Sequence, residues 1–231
     1  MLLASELIEQ EIIPRIDSRI VPIEVSAVAN GRQIVQFKCL KWIKLFDVVY
    51  NNGNEVNIIS YLPENRVVFQ VDLPALKFEL SSIVTLKKPI FLTGTLSNTK
   101  YEWDRFELSE REKLPFIWLV SPTNRRKADS KSSTYSFNLD LWFVHWSNWE
   151  KLNADREDEA VKPLLILTEW FLKAIESNKS KFTGYKGLDL SEYPKFGKRE
   201  KNGIESTLFN STLSAVHCTV EISSYDDCCD C

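Results

Sequence analysis

Glycine is scarce in this sequence, with 7 residues among 231, less than half of the usual ~7%. Neither Gly-x-Gly-x-x-Gly nor Gly-x-x-x-x-Gly-Lys occurs. The chain therefore lacks a glycine-rich loop whose backbone amides would bind phosphate, which weighs against nucleotide-dependent enzymes.

Long apolar runs are also absent. The densest, Pro163–Ile175, is interrupted by Thr168, Glu169 and Lys173, and no run reaches the ~18 residues that cross a bilayer. The first residues, MLLASELIEQEIIPRI, lack the basic region and apolar stretch of a secretion signal. We therefore expect a protein made in the cytoplasm, with no membrane partner.

Charge of either sign is not in excess. Lys and Arg number 29 against 32 Asp and Glu, and 44% of the residues are hydrophobic. The overall charge cannot hold nucleic acid or an anionic membrane, although local patches can. The composition is that of one large globular domain or two small ones.

The five cysteines do not form a disulfide pattern. Three of them crowd the last four positions, as Cys228, Cys229 and Cys231. This tail could hold a soft metal ion, but structural zinc sites use two separated Cys/His pairs and the second pair is missing. We expect reduced thiols, no metal site and no cofactor, with residues 225–231 forming a flexible tail.

The first part of the chain combines a helix with a β-rich block. Leu2–Ile16 has helical periodicity that Pro14 ends or kinks. From residue 19 to residue 96, β-rich runs alternate with turns, which predicts a small β-barrel or sandwich. The turn signals are Asn30-Gly31, Asn52-Gly53 and Pro63-Glu64-Asn65.

The clearest fold signal is Tyr135–Ile175, in which an alternating strand leads through an acidic turn to an apolar helix. Pro163 suits the first turn of this helix, and Asp155–Glu159 favour its positive end. Leu164, Leu167, Phe171 and Ile175 form its buried face. The pair predicts an α/β unit over residues 114–224, joined to the β block by a polar connection at 97–113.

Other elements of this unit are less strongly patterned. Leu114–Val120 predicts a buried strand and Leu213–Ser223 a last strand, while residues 178–206 are rich in loop signals. In the long strand, the odd positions from Tyr135 to Phe143 are apolar throughout.

The even face of that strand is polar at first and then becomes apolar at Trp142, Val144 and Trp146. Another element or another subunit must cover this half. With Trp149 nearby, these residues predict a protein–protein assembly surface, and a thick two-layer core is the alternative.

Catalytic residues are not predicted. The two histidines, His145 and His217, could act with Cys39 or Cys218, but the adjacent His217 and Cys218 point to opposite faces of a strand. We expect structural histidines, and a small hydrolase that uses His217 or Cys218 is the alternative.

A basic segment lies between the two central strands. Arg125, Arg126 and Lys127, with Lys131 beyond them, form either a solvated hairpin tip or a contact with DNA phosphates or an acidic protein. A second basic run is Lys198–Lys201. Together they define the alternative of a nucleic-acid-binding module.

The elements follow in the order N-terminal helix, LPFIWLV, basic loop, YSFNLDLWFVHW, DREDEAVKPLLILTEWFLKAI, long loop and LSAVHCTVEI. This order resembles that of the tail-terminator (tail-completion) proteins of tailed bacteriophages. The acidic turn, the helix start at Val161–Leu164 and the aliphatic helix carry most of the resemblance. It covers residues 1–16 and about 114–223 and includes no signature motif.

The resemblance implies an α+β fold, an antiparallel sheet packed by helices, with residues 1–18 as its first helix and the β block as an insertion. It implies a non-enzymatic virion protein that is made in the bacterial host's cytoplasm. The family forms a hexameric ring between the tail tube and the head–neck connector. Its partners would be further copies, the tube protein and neck proteins, with residues 123–133 near the tube or the DNA in the lumen. The alternative is another neck, tail or contractile-injection component.

Overall fold

The computed structural model describes residues 3–105, 113–120, 124–127, 134–148, 150, 153–201, 204–207 and 212–225. The chain divides into two compact units. We call residues 17–88 the β unit, and residues 1–16 with 89–231 the main unit.

The β unit contains seven strands in one sheet, with the order β1-β7-β4-β5-β6-β3-β2. Their bounds are β1 (Arg19–Ile20), β2 (Pro22–Val25), β3 (Arg32–Phe37), β4 (Val48–Asn51), β5 (Asn54–Leu62), β6 (Arg66–Gln70) and β7 (Val84–Thr85). The consecutive strands β1 and β2 lie at opposite ends of this order, and only Val21 separates them. The sheet therefore curls until its ends approach, but it does not close into a barrel, which was one of the two predicted architectures for this block.

The predicted tight turns of the β unit are confirmed. Both central residues have positive φ in each turn, which is the geometry of a type I′ hairpin. The φ angles are 51° and 68° at Asn30 and Gly31, 48° and 85° at Asn52 and Gly53, and 62° and 58° at Glu64 and Asn65. Glycine and asparagine adopt this conformation at little cost, which explains the clarity of the sequence signal.

The buried side-chain amide of Gln33, on β3, hydrogen-bonds to two segments outside the strands of the β unit, at Ser26 and at Phe78. The Gln33 side chain is 1% exposed. Its Nε2 donates to the carbonyls of Ser26 and Phe78 at 2.9 and 3.0 Å, and the Phe78 amide donates back to Gln33 Oε1 at 2.8 Å. These bonds satisfy the donors and the acceptor of the buried amide.

The main unit begins with α1 (Ala4–Leu7), which continues as a π-helical turn (Ile8–Ile12) and a 3₁₀ turn (Ile13–Arg15) that contains Pro14. The predicted N-terminal helix is thus confirmed, but its α-helical turn is followed by a wider π-helical turn and then by a tighter 3₁₀ turn. The other helices are α2 (Leu96–Arg105), α3 (Asn153–Arg156), which leads into a π-helical turn (Glu157–Val161), and α4 (Lys162–Ser177). Among the described residues, none of the helices has the length and apolar character that a membrane span requires.

The strands of the main unit are β8 (Ile90–Gly94), β9 (Phe116–Val120), β10 (Asn124–Lys127), β11 (Thr134–Trp146), β12 (Phe182–Phe196), β13 (Lys198–Lys201), β14 (Ile204–Thr207) and β15 (Leu213–Tyr225). The large sheet has the order β12-β15-β11-β9-β8, with β10 also paired to β11, and β13 and β14 form a separate hairpin. All its pairs are antiparallel except β8 with β9, between which α2 makes the crossover. The expected α+β class is therefore observed, with mostly antiparallel sheets.

One face of the large sheet packs against α4. The odd residues of β11 from Phe137 to Phe143 are buried, as are Val216, Cys218, Val220 and Ile222 of β15. Leu164, Leu167, Phe171 and Ile175 of α4 are fully buried, as predicted, and Pro163 lies in its first turn. Phe143 and Phe171 meet edge to face, with ring centroids 5.5 Å apart.

Two sequence expectations about elements are wrong. Residues 178–206 contain the 15-residue strand β12 and the β13–β14 hairpin. The connection at 97–113 contains most of α2, whose Trp103 is 2% exposed.

Candidate assembly surface

The face of the large sheet opposite α4, here called the second face, has an apolar half with its own core. Its cluster joins β8, β9, β11, β15, Phe196 and α2. The buried members are Leu92, Trp103, Leu114, Phe116, Trp118, Val144, Phe196, Leu213 and Ala215. Val144 has no exposed surface, so its predicted role in an assembly surface is wrong, because elements of the same chain cover it.

Trp142 lies in the middle of the second face, and its contacts are intramolecular. Its ring centroid is 4.3 Å from that of His217, 4.9 Å from Phe196, 5.0 Å from Tyr193 and 6.4 Å from Trp118. Rings at these separations stabilise one another beyond their buried area. The tryptophan excess near β11 therefore builds a two-layer core at this position.

The end of β11 is more open. Trp146 is 42% exposed and remains a candidate contact residue. Trp149 lies outside the described residues. Of the four residues predicted to form the assembly surface, Val144 is buried, Trp142 packs against rings of the same chain and Trp146 is exposed. The prediction for Trp149 stays untested.

β12 exposes more large apolar side chains than β11 does. This strand was not predicted from the sequence. Within the described part of the chain, β12 pairs only with β15 and is an edge of the large sheet. Leu188 is 42% exposed, Leu190 39% and Tyr193 40%. Leu190 is in register with Cys218, which faces α4, and Tyr193 is in register with Ala215 of the second face. Apolar side chains therefore flank both sides of this edge.

Irregular pairing explains why β12 was not predicted. Its register with β15 shifts between Phe182 and Gly184, between Lys186 and Asp189, and between Tyr193 and Phe196. Gly184 and Gly187 have φ angles of 127° and 64°, as bulges require. Each bulge breaks the two-residue alternation by which strands are recognised.

A histidine–carboxylate pair lies on the polar half of the second face. His217 Nε2 is 2.7 Å from Asp140 Oδ1, and Ser191 is in register with His217 on the neighbouring strand. The described contacts include no hydrogen bond from Ser191 to His217. The bond to Asp140 holds the imidazole ring of His217 against Trp142. In the described contacts, His217 is not bonded to a serine that it could activate as a nucleophile.

The only cysteine of the main unit that the structure describes is poorly suited to nucleophilic chemistry. Cys218 is fully buried. Burial, together with the carboxylates of Asp140 and Asp189, raises the pKa of its thiol to about 12. The reactive thiolate is therefore almost absent at neutral pH. Cys39 is exposed and belongs to the β unit.

His145 continues the buried row of β11. Among the residues that the structure describes, its buried Nδ1 has no hydrogen-bond partner, while part of the residue reaches the surface. Burial lowers the pKa of His145 to about 3. The residue is therefore neutral at pH 7, and proton binding to it is coupled to unfolding.

This coupling predicts a pH effect. The unfolded chain binds a proton at His145 near pH 6.5 and the folded chain only near pH 3, so stability falls as pH decreases through this window, by at most about 1.4 kcal/mol per pH unit. His145→Phe is expected to lose less stability than the wild type between pH 6.5 and pH 4, as measured by urea denaturation at each pH. Parallel stability curves for the two proteins would contradict this account.

The predicted basic loop is partly a strand. Arg125, Arg126 and Lys127 belong to β10, which pairs with the first residues of β11, while Lys131 lies outside the described residues. The second basic run, Lys198–Lys201, forms β13. The Cys228–Cys231 tail is also outside the described residues, and among those described no His, Cys, Asp and Glu side chains group as metal ligands would.

Neither a comparison with protein-family models nor one with curated protein sequences finds a match to this chain. Its function is therefore inferred from its own residues.

Proposed function

We propose that this chain is a structural protein of a tailed-phage virion, a ring-forming tail terminator that joins the tail tube to the head–neck connector. The single observation that carries assembly is the exposed apolar edge of β12. The phage setting is supported by the element order, in which an N-terminal helix, β9, β11, α4 and β15 follow the pattern of that family.

The β12 edge has the properties of a surface that another chain covers. An unpaired strand edge offers a row of backbone donors and acceptors, and soluble proteins usually protect such edges with charge, proline or a covering element. β12 carries such protection in Asp189, Pro194 and its bulges. Its apolar side chains nevertheless remain about two-fifths exposed along the 15-residue strand, at Leu188, Leu190 and Tyr193. Exposed apolar side chains grouped along one strand edge are a feature of protein–protein contact sites.

Ring closure requires that one copy present two different surfaces. The large sheet has two distinct edges, β12 on one side and β8 on the other. A contact between the β12 edge of one copy and a different surface of the next is heterologous, and such contacts generate closed rings when the rotation closes. Six copies are expected from the family resemblance, with the tube protein and neck proteins as the axial neighbours.

The proposal predicts that Leu190→Lys disrupts assembly. A lysine at a buried contact without a partner costs several kcal/mol, and about 3 kcal/mol weakens association about 100-fold. Mass photometry over a concentration series should show rings of the 26.8-kDa wild-type chain and mainly monomers of the variant.

Leu80→Lys is the matched control, because Leu80 is 64% exposed and belongs to the β unit. It should assemble like the wild type. A wild-type protein that is monomeric at every concentration and does not associate with tail tubes would refute the proposed function. Normal rings of Leu190→Lys would remove β12 as the contact.

A further inference from the structure

The polar half of the second face carries a surplus of negative charge on β11, β15 and β12. Asp140 of β11 and Asp189 of β12 are both in register with Thr219 of β15, one on each side of it. Glu221 and Lys186 are in register with each other beside them, and their charged atoms lie 3.1 Å apart. Because this lysine is already paired with Glu221, the surplus charge of the three strands is that of the two aspartates.

The two aspartates are spaced so that one planar cation can bridge them. Neighbouring strands lie about 4.8 Å apart, so the backbones of Asp140 and Asp189 are about 10 Å apart across Thr219. A guanidinium that forms charge-assisted hydrogen bonds of about 2.7–2.9 Å on both sides fits between carboxylates at this spacing. Burial and then the charges of both aspartates raise the pKa of the Cys218 thiol, so both carboxylates lie near the same part of β15.

His217 holds one of these carboxylates in place. Its Nε2 is 2.7 Å from Asp140 Oδ1, and its ring stacks on that of Trp142 with centroids 4.3 Å apart. The carboxylate keeps its second oxygen, Oδ2, as an acceptor for a further donor. Because the Asp140 side chain is 47% exposed, a donor from another chain can reach it.

An exposed aromatic ring continues this surface along β12. Tyr193 is 40% exposed and follows Asp189 on the same strand, about 13 Å further along at ~3.3 Å per residue. Its ring centroid is 6.4 Å from that of His217. Arginine lays its apolar stem along such surfaces while its charged head reaches a polar group, and its planar head binds carboxylates and stacks on rings as an ammonium does not.

We infer that Asp140 and Asp189, here called the carboxylate pair, bind the guanidinium group of an arginine side chain on a partner protein. Charge complementarity identifies the occupant, because the uncompensated charge of this half of the face is negative. The pair also adjoins the exposed β12 edge, since Asp189 lies between the exposed Leu188 and Leu190. A chain that covers this edge therefore passes the carboxylate pair. The inference does not depend on ring formation.

The test follows the two histidines of the full-length chain by NMR, after selective carbon-13 labelling of their imidazole Cε1 atoms. N-acetyl-arginine amide is titrated at constant pH and ionic strength. The His217 signal should shift saturably, because its ring is bonded to Asp140, whereas the His145 signal on the other face should not move. N-acetyl-citrulline amide, a neutral isostere, should cause no saturable shift, and N-acetyl-lysine amide should bind more weakly.

Asp189→Asn should weaken arginine binding about tenfold, because a hydrogen bond between charged groups is lost. Glu192→Gln is the matched control. It removes one negative charge from the same strand, at a position in register with Val216 of the face that packs against α4. This variant should bind arginine within about twofold of the wild type, since charges exposed elsewhere on the surface contribute little.

Four results would overturn the inference: a stationary His217 signal, equal shifts of both histidines, equal binding of citrulline or lysine, and equal losses in the two variants. Mass photometry of the same samples separates this result from assembly. Rings that do not bind arginine refute only the carboxylate pair, whereas a monomeric chain that binds arginine refutes only the ring.

Discussion

Phe171→Ala is expected to lower the free energy of unfolding of the main unit by about 4 kcal/mol, within the 3–5 kcal/mol that such truncations cost. Phe171 is fully buried between α4 and the large sheet, and its ring meets Phe143 edge to face at 5.5 Å. Removing the ring loses apolar burial, one aromatic pair and the packing of a site that cannot collapse completely.

Urea denaturation followed by tryptophan fluorescence measures this loss, because six of the seven tryptophans belong to the main unit. Leu188→Ala is the control, since Leu188 is 42% exposed and should change stability by less than about 1 kcal/mol. A loss below about 1 kcal/mol for Phe171→Ala would contradict the packing of α4 against β11.

Trp142→Ala and Trp146→Ala are expected to differ strongly. Trp142 packs between His217, Phe196 and Tyr193, so its truncation should lower the free energy of unfolding by about 3 kcal/mol. Trp146 is 42% exposed, and its truncation should cost about 1 kcal/mol or less.

The same urea titration of the two variants provides the measurement. Similar small losses would mean that Trp142 is a surface residue. Similar large losses would mean that Trp146 belongs to the core as well. Either result would contradict the arrangement of the second face.

The strand β11 and the helix α4 show which structural features the local sequence pattern predicts. The odd positions of β11 from Phe137 to Phe143 and the apolar face of α4 are buried as their periodicity predicts, because each periodicity is a direct consequence of backbone geometry. The turns at Asn30-Gly31 and Asn52-Gly53 are equally local, since positive φ favours those residue types.

The candidate contact surface was predicted less well. The apolar second half of β11 predicts that another element packs over it. Whether α2 and β12 or another subunit does so depends on contacts between residues that are distant in the sequence. Trp103 and Phe196 supply much of that cover, and both lie in segments whose polar composition or irregular alternation concealed a helix and a strand. The β12 edge was hidden for the same reason.

Residue order alone determined the α4 helix, the long alternating strand β11 and the tight turns of the β unit, because these depend on dihedral preference and side-chain periodicity within a few residues. Only the tertiary structure decided that Val144 is core and Leu190 an exposed edge residue. It also decided that Asp140 and Asp189 lie on one face of the large sheet, on either side of Thr219. Those outcomes depend on which strands pair and in which register, and strand pairing is a contact between distant parts of the chain.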